Sequence, residues 1–311
     1  MPRLERSDRG AAITVVLVLV SVALLLSPVV LHFSQKRHNV LPFDVDVAYP
    51  ADMTLVGGEA YGSTVAELMA HELGGWTGWR PNDFFLWGPA VMADNNAHRQ
   101  LGIILAIRES VRVFRDHLTK ISATEFDANL VEADTAFRND SEKFWLPSAE
   151  GKFASGVERM RRYVDGLAAT PPTSNPINGR NVELVRLFQA WTEVLGDAHA
   201  MLFKDTEADG SAIPPWKTDD YFYRVQGTTH VLYHLCRAIR RDYAATLEDR
   251  SSLLELLDEA TAALGRAALL KPVIVLDGGP DGIFANHRRN LDGFVVEARQ
   301  KMYSIREELT N

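Results

Sequence analysis

Cysteine is nearly absent from this chain, with Cys236 the single example among 311 residues. One thiol closes no internal disulfide, so covalent staples are excluded as a source of stability. Cys236 also falls on an apolar helical seam, where a thiol is ordinarily inert core. Positive charge is scarce too: 33 Lys and Arg stand against 41 Asp and Glu, for a net −8. Residues 1–39 hold Arg3, Arg6, Arg9, Lys36 and Arg37 against Glu5 and Asp8, a net +3, which leaves −11 on the remainder. A domain so acidic, with no basic stripe interleaved with aromatics, is not built to follow a phosphate backbone, and no nucleic-acid partner is expected. Motifs for chemistry are missing as well. There is no Gly-x-Ser-x-Gly elbow, no Walker loop and no Gly-x-Gly-x-x-Gly after a strand, so no cofactor is expected. Dispersed carboxylates brought together by folding remain open as an acid–base pair.

What is present begins with a long apolar run. From Ala11 to Phe33 no side chain is charged, and His32 is the one titratable group. Twenty-three helical residues rise about 34 Å, enough for a hydrocarbon core of about 30 Å. A cleaved signal has a shorter apolar region ending in an Ala-x-Ala-like site, whereas this run ends Ser-Pro-Val-Val-Leu-His-Phe-Ser-Gln. The expectation is an uncleaved anchor over 11–33, contacting the lipid bilayer, after a cytoplasmic tail of 1–10. Arginines before the helix and Lys36 and Arg37 after it give only a slight positive-inside bias. A short tail stays easily in the cytoplasm, which places the large domain in the periplasm, beyond a bacterial inner membrane.

Residues 34–62 read as a connector. Within it Phe43, Val45, Val47 and Tyr49 alternate with Asp44, Asp46 and Ala48, between Pro42 and Pro50, as in a half-buried strand. A second apolar run, Val273–Leu276, is placed to pair with 43–49 as a minor β element. The rest, 63–311, is helical in pattern. Thr64…Glu67, Ser122…Glu125 and Ser252…Glu255 read as capping boxes. Ile104, Ile107, Val111, Phe114, Leu118 and Ile121 mark one long helix from Asn96; Phe126–Phe137, Phe153–Leu167 and Leu184–Met201 mark others. After a polar loop over 204–218 come Phe222–Tyr243, then Leu254–Ala268 and Leu291–Leu309, with 171–176 as a candidate subdomain break. Narrow a/d stripes on about seven successive helices require burial against one another, which predicts an all-α, antiparallel multi-helix bundle.

Thr64-Val-Ala-Glu-Leu-Met-Ala-His-Glu-Leu, then Trp79-Arg-Pro-Asn-Asp-Phe-Phe-Leu-Trp-Gly-Pro89 and Asp94-Asn-Asn-Ala-His-Arg-Gln-Leu-Gly102, carry a resemblance. The chain resembles the bacterial membrane proteins grouped as domain of unknown function 2333. The resemblance implies an inner-membrane protein of proteobacterial type. It assigns no functional residue.

Several constellations invite chemistry. Trp76, Trp79, Phe84, Phe85 and Trp87, interleaved with Arg80, Asn82 and Asp83, suit a binding loop for a protein, glycan or lipid of the envelope. The same aromatics suit a plug closing one end of the bundle. Asp94 or Asn95 fits an N-cap, leaving Asn96, His98 and Arg99 near a helix N-terminus, where anions are favoured. His71-Glu72 suggests the zinc-protease helix, but the required second histidine is Gly75. His230 and His234, one turn apart, could reach one metal ion, although the apolar register turns both outward. Asp205–Gly210 and Asp277–Gly282 resemble calcium loops whose twelfth positions, Trp216 and Arg288, fail, and Pro214-Pro215 prevents a helix from starting at the first loop's exit. The expectation is an envelope protein that binds or scaffolds, and is not an enzyme; a metal-assisted hydrolase with a histidine-containing site is the alternative.

Overall fold

The computed structural model describes residues 3–38, 43–75, 77–83, 94–120, 125–247, 250–279 and 281–311. Among these residues the chain is all-α, with eleven helices and no sheet. Helix α1, Arg3–His38, carries the apolar stretch: Gly10–Ser27 has a mean hydropathy of 2.6, is long enough to cross a membrane, and buries none of its residues.

The expected β element does not form. Residues Val45–Ala48 make a short helix, α2, whose N-cap Asp44 accepts from Asp46 N at 3.0 Å. Only Val45 of the alternating set is buried, and Val47 is exposed. Both acidic side chains point to Arg237, so the period-2 pattern is produced by ion pairing and not by a sheet face. Val273 and Ile274 are exposed, and the isolated bridge between Asp277 and Asn286 falls just beyond the run.

The connector ends sooner than expected, because α3 runs Glu59–Gly74. Thr64 is inside it, its hydroxyl donating to the Ala60 carbonyl at 2.7 Å, so the capping box there is not used. The N-cap is Gly58, at φ +100°, without a side chain to cap with. Asp242 supplies the acceptor in its place: Ala60 N and Tyr61 N donate to its two carboxylate oxygens at 3.1 and 2.8 Å. Burial pushes the Asp242 carboxyl up to about 7 despite those donors. Helix α4, Asn95–Val113, widens into a π-helical turn at Phe114–Leu118. Helix α5, Ala128–Phe137, starts at N-cap Asp127, which accepts from Asn129 N and Leu130 N. Phe126 therefore precedes the helix, while Ser122 lies outside the described residues. Helices α6, Ala149–Ala168, and α7, Asn181–Phe203, follow.

Helix α8 runs Pro215–Asp242, beginning at the second proline of the pair that had been expected to block it. Proline at the first helical position lacks only an N–H that would have no intrahelical partner, so Pro214-Pro215 starts the helix. A single turn, α9 at Ala244–Leu247, leads to α10, Ser251–Ala268, and α11, His287–Thr310. Ser252 is inside α10 and bonds to Glu308 of α11, so this capping box also goes unused.

Most neighbours run antiparallel: His199 and Thr192 of α7 meet Asp292 and Arg299 of α11, and α10 meets α8 and α11 in the same reversed order. Helices α4 and α8 are not antiparallel. His98 and Asp220 meet near their N-termini, while Ser110 and Asp242 near their C-termini both bond Tyr61, so the two point the same way. They touch backbone to backbone: a β-carbon on Gly102 would overlap the Arg224 carbonyl, and one on Gly227 the Arg99 carbonyl. Around this pair a continuous core gathers Tyr61, Phe114, Phe137, Phe153, Trp191, Phe222 and Met302, drawn from both sides of 171–176.

Candidate functional site

The aromatic segment contributes to the core where it is described. Trp79 is buried, packs edge-on against Phe153 with ring centroids 5.0 Å apart, and donates its indole N–H to the Ser141 carbonyl at 2.8 Å. Arg80 is buried beside Asp83, Nε to carboxylate 2.7 Å, and Asn82 donates to the Lys143 carbonyl and to Glu150. Trp76, Phe84, Phe85 and Trp87 lie outside the described residues.

Behind that segment is a buried polar network. Glu72, at the end of α3, accepts from Arg99 at 2.8 Å and from Gln100 Nε2 at 3.1 Å. Gln100 also donates to the Gly78 carbonyl and accepts from Arg80 N, tying α4 to the loop. Burial acts to raise the Glu72 carboxyl, but the Arg99 guanidinium outweighs it and the group is held below the usual range. Glu72 thus serves as the counter-ion of Arg99, which explains a His-Glu pair without any metal helix.

His230 and His234 do not face outward. Both are buried, with ring centroids 5.0 Å apart. A heptad register buries one face of a helix, whereas α8 is packed by α2, α3, α4, α7, α10 and α11 and has no solvent side there. Burial drives the His230 imidazole far below its ordinary range and takes His234 down to about 4. Neither ring nitrogen of His234 has a hydrogen-bond partner among the described residues. His234→Leu removes two orphaned polar atoms at similar volume, and is expected to stabilise the chain by about 1–2 kcal/mol. The sign of its pH effect follows from linkage. The folded imidazole titrates below the unfolded one, so it costs stability as pH falls from about 6.5 towards 4. Thermal unfolding at about pH 7.5 and pH 5 should show a smaller acid loss in the variant. Carboxylates such as Asp242 act oppositely in that window, but they are common to both proteins.

The shared N-terminal end of α4 and α8 gathers groups that the sequence keeps far apart. Asp94, His98 and Asp220 each bring a ligand atom within 4.8 Å of the other two. His98 Nε2 lies 3.1 Å from Asp220 Oδ1, yet among the described residues that buried oxygen accepts no hydrogen bond, nor does Asp219 Oδ1 next to it in sequence. Burial, aided by Asp219, pushes Asp94 up to about 6; burial, aided by Asp94 and Asp219, takes Asp220 to about 7. Burial, with Arg224 nearby, lowers His98 to about 4, so its imidazole is neutral with a lone pair to offer. Asn96 is buried with neither amide atom hydrogen-bonded among the described residues, and Arg99 belongs to the Glu72 pair. Asp94 and His98 could be paired from their spacing of one turn; Asp220 could not, because only the parallel packing of α8 delivers it.

The acidic loops hold protein cations. Asp205 pairs with Arg289 at 3.0 Å, and Glu207 with Lys204 and Lys217 at 2.6 and 3.2 Å. Asp277 pairs with Arg288.

Fold and site together describe an all-helical protein with one unburied apolar N-terminal helix and a half-buried polar junction between its two central helices. A family model described as "Uncharacterized protein conserved in bacteria (DUF2333)" matches residues 6–203 and 183–311, and the chain belongs to that family. No curated protein and no solved structure matches it.

Proposed function

We propose that this is a single-pass protein of the bacterial inner membrane whose helical domain stands in the periplasm and binds or scaffolds an envelope partner. The observation that carries the reading is α1: its apolar stretch is unburied across a full membrane thickness, and such a surface is stable only in lipid or against another apolar body. A contact surface is also available. Trp145 and Leu146 are 78% and 92% exposed, in the loop that follows the Trp79 acceptor Ser141, and suit a protein, glycan or lipid partner. The test is a reporter fused at the carboxyl end, read in each compartment, with cross-linking of the intact protein in its own membrane. Periplasmic signal and a cross-linked partner lost in Trp145→Ala/Leu146→Ala support the reading; signal confined to the cytoplasm overturns it.

A second reading, a metal-assisted hydrolase, is favoured by one observation: His98, unlike His230 and His234, stands among carboxylates at ligand spacing.

A further inference from the structure

We infer that Asp94, His98 and Asp220 form a binding site for one divalent transition-metal ion of the Zn²⁺ type. The inference holds whether the ion serves chemistry or only stability, and does not depend on the membrane reading.

The geometry comes first. Two ligands bound to one tetrahedral ion at about 2.1 Å each lie about 3.4 Å apart. His98 Nε2 and Asp220 Oδ1 are already 3.1 Å apart, and Asp94 completes a set with every separation within 4.8 Å. These positions are set by rigid elements. Asp94 is the N-cap of α4, His98 is one turn into it with its N–H bonded to the Asp94 carbonyl at 2.9 Å, and Asp220 is in the first turns of α8. The Gly102 and Gly227 contacts fix the spacing of the two helices just beyond the site.

The second observation is what the chain leaves unsatisfied. A buried carboxylate oxygen ordinarily has a hydrogen-bond partner, and one without is costly. Asp220 Oδ1 is buried, within reach of an imidazole nitrogen, and without a hydrogen bond to it or to any other of the described residues. An imidazole nitrogen and a carboxylate oxygen facing each other at 3.1 Å without a hydrogen bond between them are what a shared cation would reconcile. The charged side chains around the site are Asp94, Asp219 and Asp220 against Arg224 and Lys217, with carboxylates in the majority.

The donor set selects the metal class. One imidazole with two carboxylates suits zinc, manganese or iron(II), whereas calcium and magnesium take oxygen alone. Three protein ligands, among the described residues, leave a position for water, as in sites where the metal polarises a substrate or generates hydroxide.

The test uses the tag-free full chain in detergent, stripped with a chelator and titrated with Zn²⁺ by calorimetry, with bound metal counted after dialysis. One ion per chain is expected, with affinity reduced about 100-fold or more in His98→Ala and in Asp220→Asn, and unchanged in His234→Leu. Cobalt(II) reads the imidazole directly, and its visible d–d bands should change in His98→Ala. Asp220→Asn preserves side-chain shape, so it decides the matter should His98→Ala fail to fold. No stoichiometric ion in the wild type, or an undiminished affinity in folded Asp220→Asn, overturns the site.

Discussion

Arg99→Met is expected to cost about 3–5 kcal/mol, the usual toll of leaving one member of a buried ion pair behind. Glu72 and Arg99 are both almost fully buried and 2.8 Å apart. Without the guanidinium the carboxylate retains one side-chain donor, Gln100 Nε2, in a region that water does not solvate well. Its options are to remain charged at high cost or to take up a proton, and both lower stability near neutral pH. The loss should be largest above the usual carboxylate range. There the wild type keeps Glu72 ionised against Arg99, while the variant's folded state pays to ionise it. Changing both residues to Met removes the stranded charge and should recover much of the loss, because packed apolar side chains often match a buried pair. Urea midpoints of the full chain in mild detergent measure all three; an Arg99→Met midpoint equal to wild type would mean that the charge was never desolvated.

The second large effect belongs to the smallest side chains. Gly102→Ala or Gly227→Ala places a methyl group on a facing main-chain carbonyl, of Arg224 or Arg99 respectively. A flexible side chain could move aside; a helical carbonyl can retreat only if the helices part. Parting them also stretches the bond from the Thr228 hydroxyl to the Gly102 carbonyl, now 3.2 Å. About 3 kcal/mol is expected, at the upper end of overpacking costs. Gly293 supplies the contrast. It lies in α11 with nothing near its absent β-carbon, so Gly293→Ala should gain up to about 1 kcal/mol from helix propensity alone. If all three variants melt together, the close crossing is not what holds α4 to α8.

Helical class was legible because burial on one face writes a 3–4 spacing into the residues themselves. Met160, Leu187, Leu257 and Met302 are all buried on the helices that their stripes predicted. Helix starts were less legible, since caps can come from elsewhere. Asp242 caps α3 from α8, so the local Thr64…Glu67 pattern named the wrong residue. The β expectation failed because alternation reports two-sided chemistry, and Asp44 and Asp46 turned out to answer Arg237. The metal-ligand set was half visible. His98 stood out by its place at a helix start, but Asp220 is 122 positions later and is joined to it only by a parallel helix crossing. The histidine pair on α8 was misplaced for the same reason: a central helix has no outer flank.

The attachment of the first folded residues to α8 has a mechanical consequence. Arg237 grips Asp44 and Asp46, and Arg241 donates to the carbonyls of Tyr49 and Pro50. Tension arriving along the chain from α1 therefore enters the domain at its central strut and bypasses the periphery. Seventeen residues of continuous helix, about 26 Å, separate Arg237 from Asp220. A pull at one end of that strut is transmitted lengthwise to the carboxylates at the other.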